Sequence, residues 1–153
     1  MLRAKKAATM SQENNMAQEI TFAMIKPDAV AAKNSGKIID IIEQNGFNIV
    51  GLQKINMSKA QANQLYAIHK ERPFFGEMVN FITSGPVIIM ALEKENAIKA
   101  WRDLMGVTNP AQAEEGTIRK KFGKSIGENA THGSDAAQTA KEEIALFFPQ
   151  LSR

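Results

Sequence analysis

The sequence predicts an α+β fold in which helices pack on an antiparallel sheet. The first observation is the order of its patterns: strand, helix, strand, helices, strand, helix, loop and helix along 153 residues, a length that suits one domain. The second is the turn after the first strand, Lys-Pro-Asp-Ala-Val, which has neither a Gly-x-Gly-x-x-Gly motif nor a Walker lysine. The rival class, a doubly wound parallel fold, would want a glycine-rich turn at that place.

The first two strands are predicted at residues 20–25 and 47–57. Residues 20–25 alternate partly between apolar and other residues and are prone to β structure, as a buried strand would be. Pro27 cannot continue a strand ladder, so Lys26 is predicted to lie at the end of the first strand.

Two helices of the first half are predicted from their capping residues. Asn34 and Ser35 can cap the first helix, and Gly46 supplies its left-handed stop. Ser58 with Gln61 has the form of a capping box for the second. The apolar faces are Ile38, Ile41 and Ile42 in the first helix, and Leu65 and Ile68 in the second, which should end near Arg72 and Pro73.

The second half of the chain predicts a helix at residues 74–83, a central strand at 87–92 and a helix at 96–105. Residues 106–133 lose periodicity and predict a long loop, which in a compact domain is usually functional. Ser134 should open the last helix. The predicted core residues of these last two helices are Ile98, Trp101, Leu104, Met105, Ala137, Ala140, Ile144 and Phe147 or Phe148.

This order of elements is compatible with a ferredoxin-like split β-α-β sandwich, whose sheet is antiparallel. The fold needs a fourth strand, which we place at residues 119–122. Residues 1–18 are polar, basic at the start and lack the apolar block of a secretory signal. They resemble a transit peptide weakly, and we favour a disordered extension to a domain at 19–153. Met10 and Met16 leave a later natural start open.

The overall composition excludes several classes of function. The chain has no cysteine, so disulfides, thiolate zinc sites and cysteine nucleophiles are absent. A net charge of +3 does not indicate a large basic surface for binding nucleic acid. Nucleic acid is therefore not expected to be the main partner. No apolar run approaches the roughly 18–20 residues that span a bilayer, so we expect no membrane partner and a cytoplasmic location.

A polyphosphate pocket is one interpretation of four residues from separate segments. Arginine forks match phosphate oxygens, and a lysine and a hydroxyl would add to such a pocket. Any one of these residues alone is more often an ordinary surface group. The four are Lys26, Arg102, Thr108 and Arg119. Phe74 could offer its ring to a nucleobase, and Met78, one helical turn further on, could complete an apolar clamp.

His132 lies between glycine, small polar residues and a helix start, and it is one of two histidines in the chain. A neutral imidazole nitrogen is nucleophilic near neutral pH and can accept a phosphoryl group if the other nitrogen is held. Glu143 is a candidate to hold it, although it could also be a solvated helix residue. By spacing alone, His132 is interpreted as a capped or solvated loop histidine. His69 lies on a predicted helix beside Lys70 and Glu71, and no chemical role is predicted for it.

Five stretches of the chain are informative together: MIKPDAV, GFNIVGLQKI, RPFFGEMVNFITSGPV, WRDLMGVTNPAQAEEGTIR and NATHGSDAAQTAKEEI. In this order, from about Ile20 to Phe148, they strongly resemble the nucleoside diphosphate kinase family. NATHGSD, at the start of the fifth stretch, is similar to the active-site signature of that family.

The resemblance implies that His132 carries the phosphoryl group on Nδ1 while Glu143 holds the other ring nitrogen. It places Phe74 against the base, with Met78 where members commonly have another aliphatic residue. Tyr66 matches a family tyrosine near the histidine, and Ser134 retains the family hydroxyl. The implied phosphate ligands are Lys26, Arg102, Thr108 and Arg119, with Asn129 and Lys26 on the ribose. Magnesium (Mg2+) is expected on the nucleotide phosphates, since no carboxylate cluster resembles a metal site.

The implied activity is ping-pong transfer of the γ-phosphate of a nucleoside triphosphate, typically ATP, to a nucleoside diphosphate. It would maintain the NTP and dNTP pools, in a homo-oligomer that is a tetramer or a hexamer. Two other classes stay open from the residues. One is a regulatory protein that binds nucleotide or nucleic acid without turnover, and the other is a phosphocarrier that passes phosphate to proteins.

Overall fold

The computed structural model describes residues 18–152, so most of the predicted extension at 1–18 lies outside the described residues. Four strands form one sheet in the order β2-β3-β1-β4, and each neighbouring pair is antiparallel. This confirms the predicted α+β fold with the strand order of a ferredoxin-like sheet. The strands are β1 at Gln18–Ile25, β2 at Asn48–Ile55, β3 at Val87–Glu95 and β4 at Thr131–Gly133.

Seven α-helices lie within the described part of the chain. They are α1 at Pro27–Ala31, α2 at Ser35–Gln44, α3 at Lys59–Leu65, α4 at Phe75–Ile82, α5 at Ala97–Met105, α6 at Ile118–Phe122 and α7 at Ala137–Phe147. The predicted capping box of α3 is confirmed, since the Gln61 amide donates to Ser58 Oγ and the Ser58 amide donates to Gln61 Oε1. Helix α1 was not predicted; Pro27, which ends β1, also starts it.

Helices cover both faces of the sheet, because the central strands β1 and β3 are apolar on both sides. Phe22 and Met24 of β1 face one core with α3, α4 and α7. Ala23 and Ile25 face a second core with α1, α2, α5 and α6. The unbroken apolar run at 87–92 therefore has the pattern of a strand buried on both faces, as predicted.

The predicted fourth strand at residues 119–122 is wrong. Those residues form α6, because the Thr117 hydroxyl accepts the Lys120 amide and starts a helix. The fourth strand is β4, inside the segment predicted as loop, and its three residues are too few to show an alternating pattern. The long loop is shorter than predicted, since it also holds a 3-10 turn at Pro110–Gln112.

Two helix boundaries also differ from prediction. Helix α3 ends at Leu65 rather than near Arg72, because a 3-10 turn follows it, and Ile68 in that turn is 74% exposed rather than part of an apolar face. Helix α7 begins at Ala137, which is exposed, rather than at Ser134. Ser134 instead continues the line of β4, where its amide donates to the Phe22 carbonyl.

Among residues 18–152, no helix combines the length and the hydropathy that crossing a bilayer requires.

We expect Gly133→Ala to destabilise the fold, because a Cβ at this position would lie 2.5 Å from Trp101 Cδ1 and 2.7 Å from Met105 Cε. Overpacking of this kind typically costs about 1–3 kcal/mol. Urea denaturation would measure the loss. Gly36→Ala is the matched control, since nothing lies within 4 Å of the added Cβ, and it should be neutral or stabilise α2 by up to about 1 kcal/mol. Equal losses in the two variants would contradict the packing argument.

Candidate active site

His132 is held by the sheet itself. It pairs with Met24 of β1, and directly opposite residues of an antiparallel pair point to the same face. Its imidazole therefore points toward the core that contains Met24, where it meets the rings of Phe22 and Tyr66, each at a centroid distance of 5.9 Å. On the other face, the Trp101 indole N–H donates to the His132 carbonyl at 3.2 Å. Backbone and ring are thus both fixed.

A carboxylate lies against one nitrogen of this ring. Glu143 Oε1, on α7, is 3.3 Å from His132 Nε2, and the Ser134 hydroxyl donates to the same oxygen at 2.7 Å. Both side chains are largely buried, with 18% of His132 and 12% of Glu143 exposed. A proton on Nε2, donated to Glu143, leaves the lone pair of the neutral ring on Nδ1. The arrangement suits an imidazole nucleophile.

Tyr66 stands almost perpendicular to the His132 ring, at an interplanar angle of 88°. Burial raises the pKa of Tyr66 well above its ordinary value, and the negative charge of Glu143 raises it further. The phenol therefore stays protonated and can donate a hydrogen bond beside the histidine at any physiological pH.

Lys26 and Asn129 join three separate segments of the chain. Lys26 Nζ donates to Asn129 Oδ1 at 2.8 Å, and Asn129 Nδ2 donates to the Thr108 carbonyl at 3.0 Å. The Lys26 amide also donates to the Ala130 carbonyl at 2.8 Å. Thr108 enters this network through its backbone, while the residue as a whole is exposed.

Arg119 is buried and fastens the loop after α5 to β4. Its two terminal nitrogens donate to the Gly106 and Thr131 carbonyls, both at 3.0 Å, while its Nε has no partner among the described residues. Arg102 lies at the more exposed side and pairs with Asp135 at 2.8 Å. An exposed pair of this kind contributes little to stability.

The cations of this cluster lack full compensation by negative charge. Burial, and then the charge of Arg119, lowers the pKa of Lys26 to about 8, against an opposing effect of Asp28. Burial, and then the charge of Arg102, lowers the pKa of Arg119 to about 10, against an opposing effect of Asp135. Each of these groups would keep its proton more firmly beside a polyanion. The charge of the cluster therefore favours the binding of an anionic ligand.

The backbone two residues before His132 is strained. Ala130 has a φ of +75°, which residues other than glycine, asparagine and aspartate rarely adopt. The Thr131 amide donates to the Asn129 carbonyl at 2.9 Å, which closes a three-residue γ-turn, and the Ala130 amide donates to Asp28 Oδ2 at 3.1 Å. Strain of this kind collects at functional sites.

Phe74 and Met78 stand outside this hydrogen-bonded network within residues 18–152. Phe74 is 44% exposed, and its ring lies 5.8 Å from that of His69. Met78 is partly buried against the core, and its amide donates to the Phe74 carbonyl. The direct contacts of the structure therefore bring together most of the proposed site residues but not this pair.

Three contacts at the site were not predicted from the sequence. An acidic residue directly after Lys26-Pro27 could have marked Asp28 as part of the site. Its bond with the Ala130 amide could not be predicted, because the two residues are distant in the chain. Asp135 follows Gly-Ser and was not singled out, although it pairs with Arg102. Trp101 was predicted to be a core residue. The helical spacing that predicts its burial does not indicate the bond from its indole N–H to the His132 carbonyl.

The fold and the site together define a class of enzyme. A held imidazole beside partly uncompensated cations suits the transfer of a phosphoryl group between phosphate compounds. A family model described as Nucleoside diphosphate kinase matches residues 19–152. The chain belongs to the nucleoside diphosphate kinase family, as the sequence resemblance implied, and is a phosphotransferase that acts on nucleotides.

Relatives and solved structures agree with this assignment. The nucleoside diphosphate kinase of Pelobacter propionicus is 59% identical over 133 residues, which cover 87% of this chain and 97% of that protein. That of Trichlorobacter lovleyi is 61% identical over 130 residues, covering 85% and 94%. The crystal structure of the Aquifex aeolicus enzyme has a TM-score of 0.85 at 41% identity, covering 86% and 96%. The Halobacterium salinarum enzyme, solved in complex with CDP, has a TM-score of 0.83 at 41% identity, covering 86% and 88%.

We expect Lys26→Met to stabilise the fold at pH 7 by about 1–2 kcal/mol, because a shift of the Lys26 pKa from 10.5 to about 8 corresponds to at most about 3 kcal/mol and the bond to Asn129 is lost. The folded chain binds fewer protons than the unfolded chain between these pKa values, so the stability of the unmutated protein rises with pH across that window. The gain from Lys26→Met should therefore shrink toward pH 10.

Urea denaturation at pH 7 and pH 10 would measure this difference. Lys99→Met is the control, since Lys99 is an exposed residue of α5 with a surface ion pair, and its effect should stay within about 0.5 kcal/mol. A gain from Lys26→Met that does not change with pH would contradict the argument.

Proposed function

We propose that the phosphotransfer reaction of the family runs through His132 in this chain. The observation that carries the proposal is the contact of His132 Nε2 with Glu143, whose oxygen the Ser134 hydroxyl also holds. Nδ1 attacks the γ-phosphorus of a nucleoside triphosphate, and the bond to the β–γ bridging oxygen breaks. The diphosphate leaves with that electron pair. A terminal oxygen of a second nucleoside diphosphate then attacks the phosphohistidine and restores the imidazole.

The cations around His132 are proposed to bind the phosphates. Lys26, Arg102 and Arg119 would compensate the charge of the transferred group, and the Thr108 hydroxyl would add a donor. Asn129, with Lys26, would bind the ribose. The lowered pKa values of Lys26 and Arg119 support this proposal, because they indicate positive groups that lack full anionic partners.

Phe74 is proposed to stack on the nucleobase, with Met78 as the second apolar contact. The exposure of 44% of Phe74 supports this role, since a ring that served only the core would be buried. Stacking contributes roughly 1–3 kcal/mol per base and is largely indifferent to base identity. One pocket could then accept different donors and acceptors.

Nucleotide kinases generally use a divalent metal, and we propose magnesium (Mg2+) for this chain. The residues at 18–152 contain no group of three His, Cys, Asp or Glu side chains that could hold a metal ion. The nucleotide phosphates would therefore supply the ligands, and the ion would compensate charge on them. The protein's own part is to bind and align the phosphates through the cations named above.

A homo-oligomer, either a tetramer or a hexamer, and a cytoplasmic location remain proposals. Val50 and Leu52 support association, because they lie on the edge strand β2 and are 39% and 44% exposed. Exposed apolar residues on an unpaired strand edge favour contact with another chain.

We expect His132→Ala to abolish phosphoenzyme formation while nucleotide binding persists, because the imidazole supplies the bond-forming atom and other groups supply the affinity. The protein would be incubated with γ-labelled ATP and magnesium, tested for acid-labile label, and chased with unlabelled GDP. His69→Ala removes the other histidine and should retain the label. Label on the His132→Ala variant would overturn the proposal.

The same experiment separates the alternatives. Label that moves to GTP supports the proposed reaction. Label that stays on the unmutated protein would favour a phosphocarrier. Nucleotide binding without any label would favour a regulatory protein.

A further inference from the structure

The γ-turn at residues 129–131 depends on a carboxylate that the proposed reaction does not use. Asp28 Oδ2 accepts the Ala130 amide at 3.1 Å, across 102 residues of sequence. The amide of Lys26, two residues before Asp28, donates to the Ala130 carbonyl at 2.8 Å. Both polar groups of the strained residue are thus bound by the segment that follows β1.

Helix capping does not explain the position of Asp28. The N-cap of α1 is Lys26, which makes no side-chain cap bond, and the Asp28 carboxylate points across to another segment. Its second oxygen, Oδ1, is buried without a partner among the described residues. Asp28 is partly buried, and its charge opposes the fall in the pKa of Lys26. Its only side-chain hydrogen bond among the described residues is the one that it accepts from the Ala130 amide.

The turn sets the positions of several residues that are proposed to bind the nucleotide. Asn129 at its start bonds to Lys26 and to the Thr108 carbonyl. Thr131 at its end bonds to Arg119 and leads directly into His132. If the turn relaxed to a negative φ at Ala130, Asn129 and the start of β4 would both have to move.

We propose that Asp28 is a positioning residue of this active site: by binding the Ala130 amide, it holds the strained turn that places Asn129 and Lys26 for nucleotide binding. The inference rests on the proposed function of the site. Asp28 itself touches neither nucleotide nor His132 in this scheme, and it acts through the backbone of the turn.

The test uses three variants of the full chain: Asp28→Ala, Ala130→Gly and the double variant. Asp28→Ala should raise the KM for nucleoside diphosphate about tenfold, the effect of one lost hydrogen bond to a charged group, with a smaller change in kcat. Glycine adopts a positive φ without strain, so the turn in Ala130→Gly no longer needs the carboxylate. The double variant should therefore return to within about threefold of Ala130→Gly alone.

Asp28→Asn is the conservative variant, because its amide oxygen can still accept the Ala130 N–H. Its KM should stay within about threefold of the unmutated value. A role in global stability alone predicts a different pattern. Losses of stability from Asp28→Ala and Ala130→Gly would then add, while the KM of the folded protein would stay unchanged in all three variants.

Two results would overturn the inference: an unchanged KM in Asp28→Ala, or a double variant that binds nucleotide no better than Asp28→Ala. If Asp28→Ala alone does not fold, the double variant tests the inference. The inference requires that the double variant folds and that its KM matches that of Ala130→Gly. The unmutated protein is measured in parallel for label on His132. Absence of that label would reject the proposed function, whereas a normal label with a normal KM in Asp28→Ala rejects only the positioning role.

Discussion

The pairing of the short strand β4 with β1 is the constraint on which the rest of the site depends. Three residue pairs join these strands, and the middle one sets His132 opposite Met24. Because β1 is central and buried on both faces, it cannot shift without moving both cores. The histidine therefore takes its position from a strand that is packed on both faces, and Glu143 lies on a helix packed on the same face as the imidazole.

The site holds positive charge that the fold alone would not favour. Lys26 is partly buried and Arg119 is buried, and the loss of solvation is the main reason that their pKa values fall. The strained turn at Ala130 adds a further cost. The buried charge and the strained turn both lower the stability of the free protein, while positive charge without full compensation favours the binding of the proposed anionic ligand.

The sequence predicted the elements with long patterns and missed those set by tertiary contact. Residues 87–92 and the capping box at Ser58 were predicted correctly, because an unbroken apolar run and a local cap are visible in the chain. Strand β4 was missed, since three residues show no period and its partner lies over a hundred residues away. Nothing about an alanine at position 130 reveals a positive φ, so the bond to Asp28 could not be foreseen.

Trp101 is placed to report on the proposed active site through its fluorescence. It is the single tryptophan of the chain, it is fully buried, and its indole binds the backbone of His132 from behind while Gly133 packs on its ring. Any event that shifts β4 must change the surroundings of this one fluorophore. Events at the histidine that move β4 can therefore be followed by tryptophan emission in the unlabelled, unmutated protein.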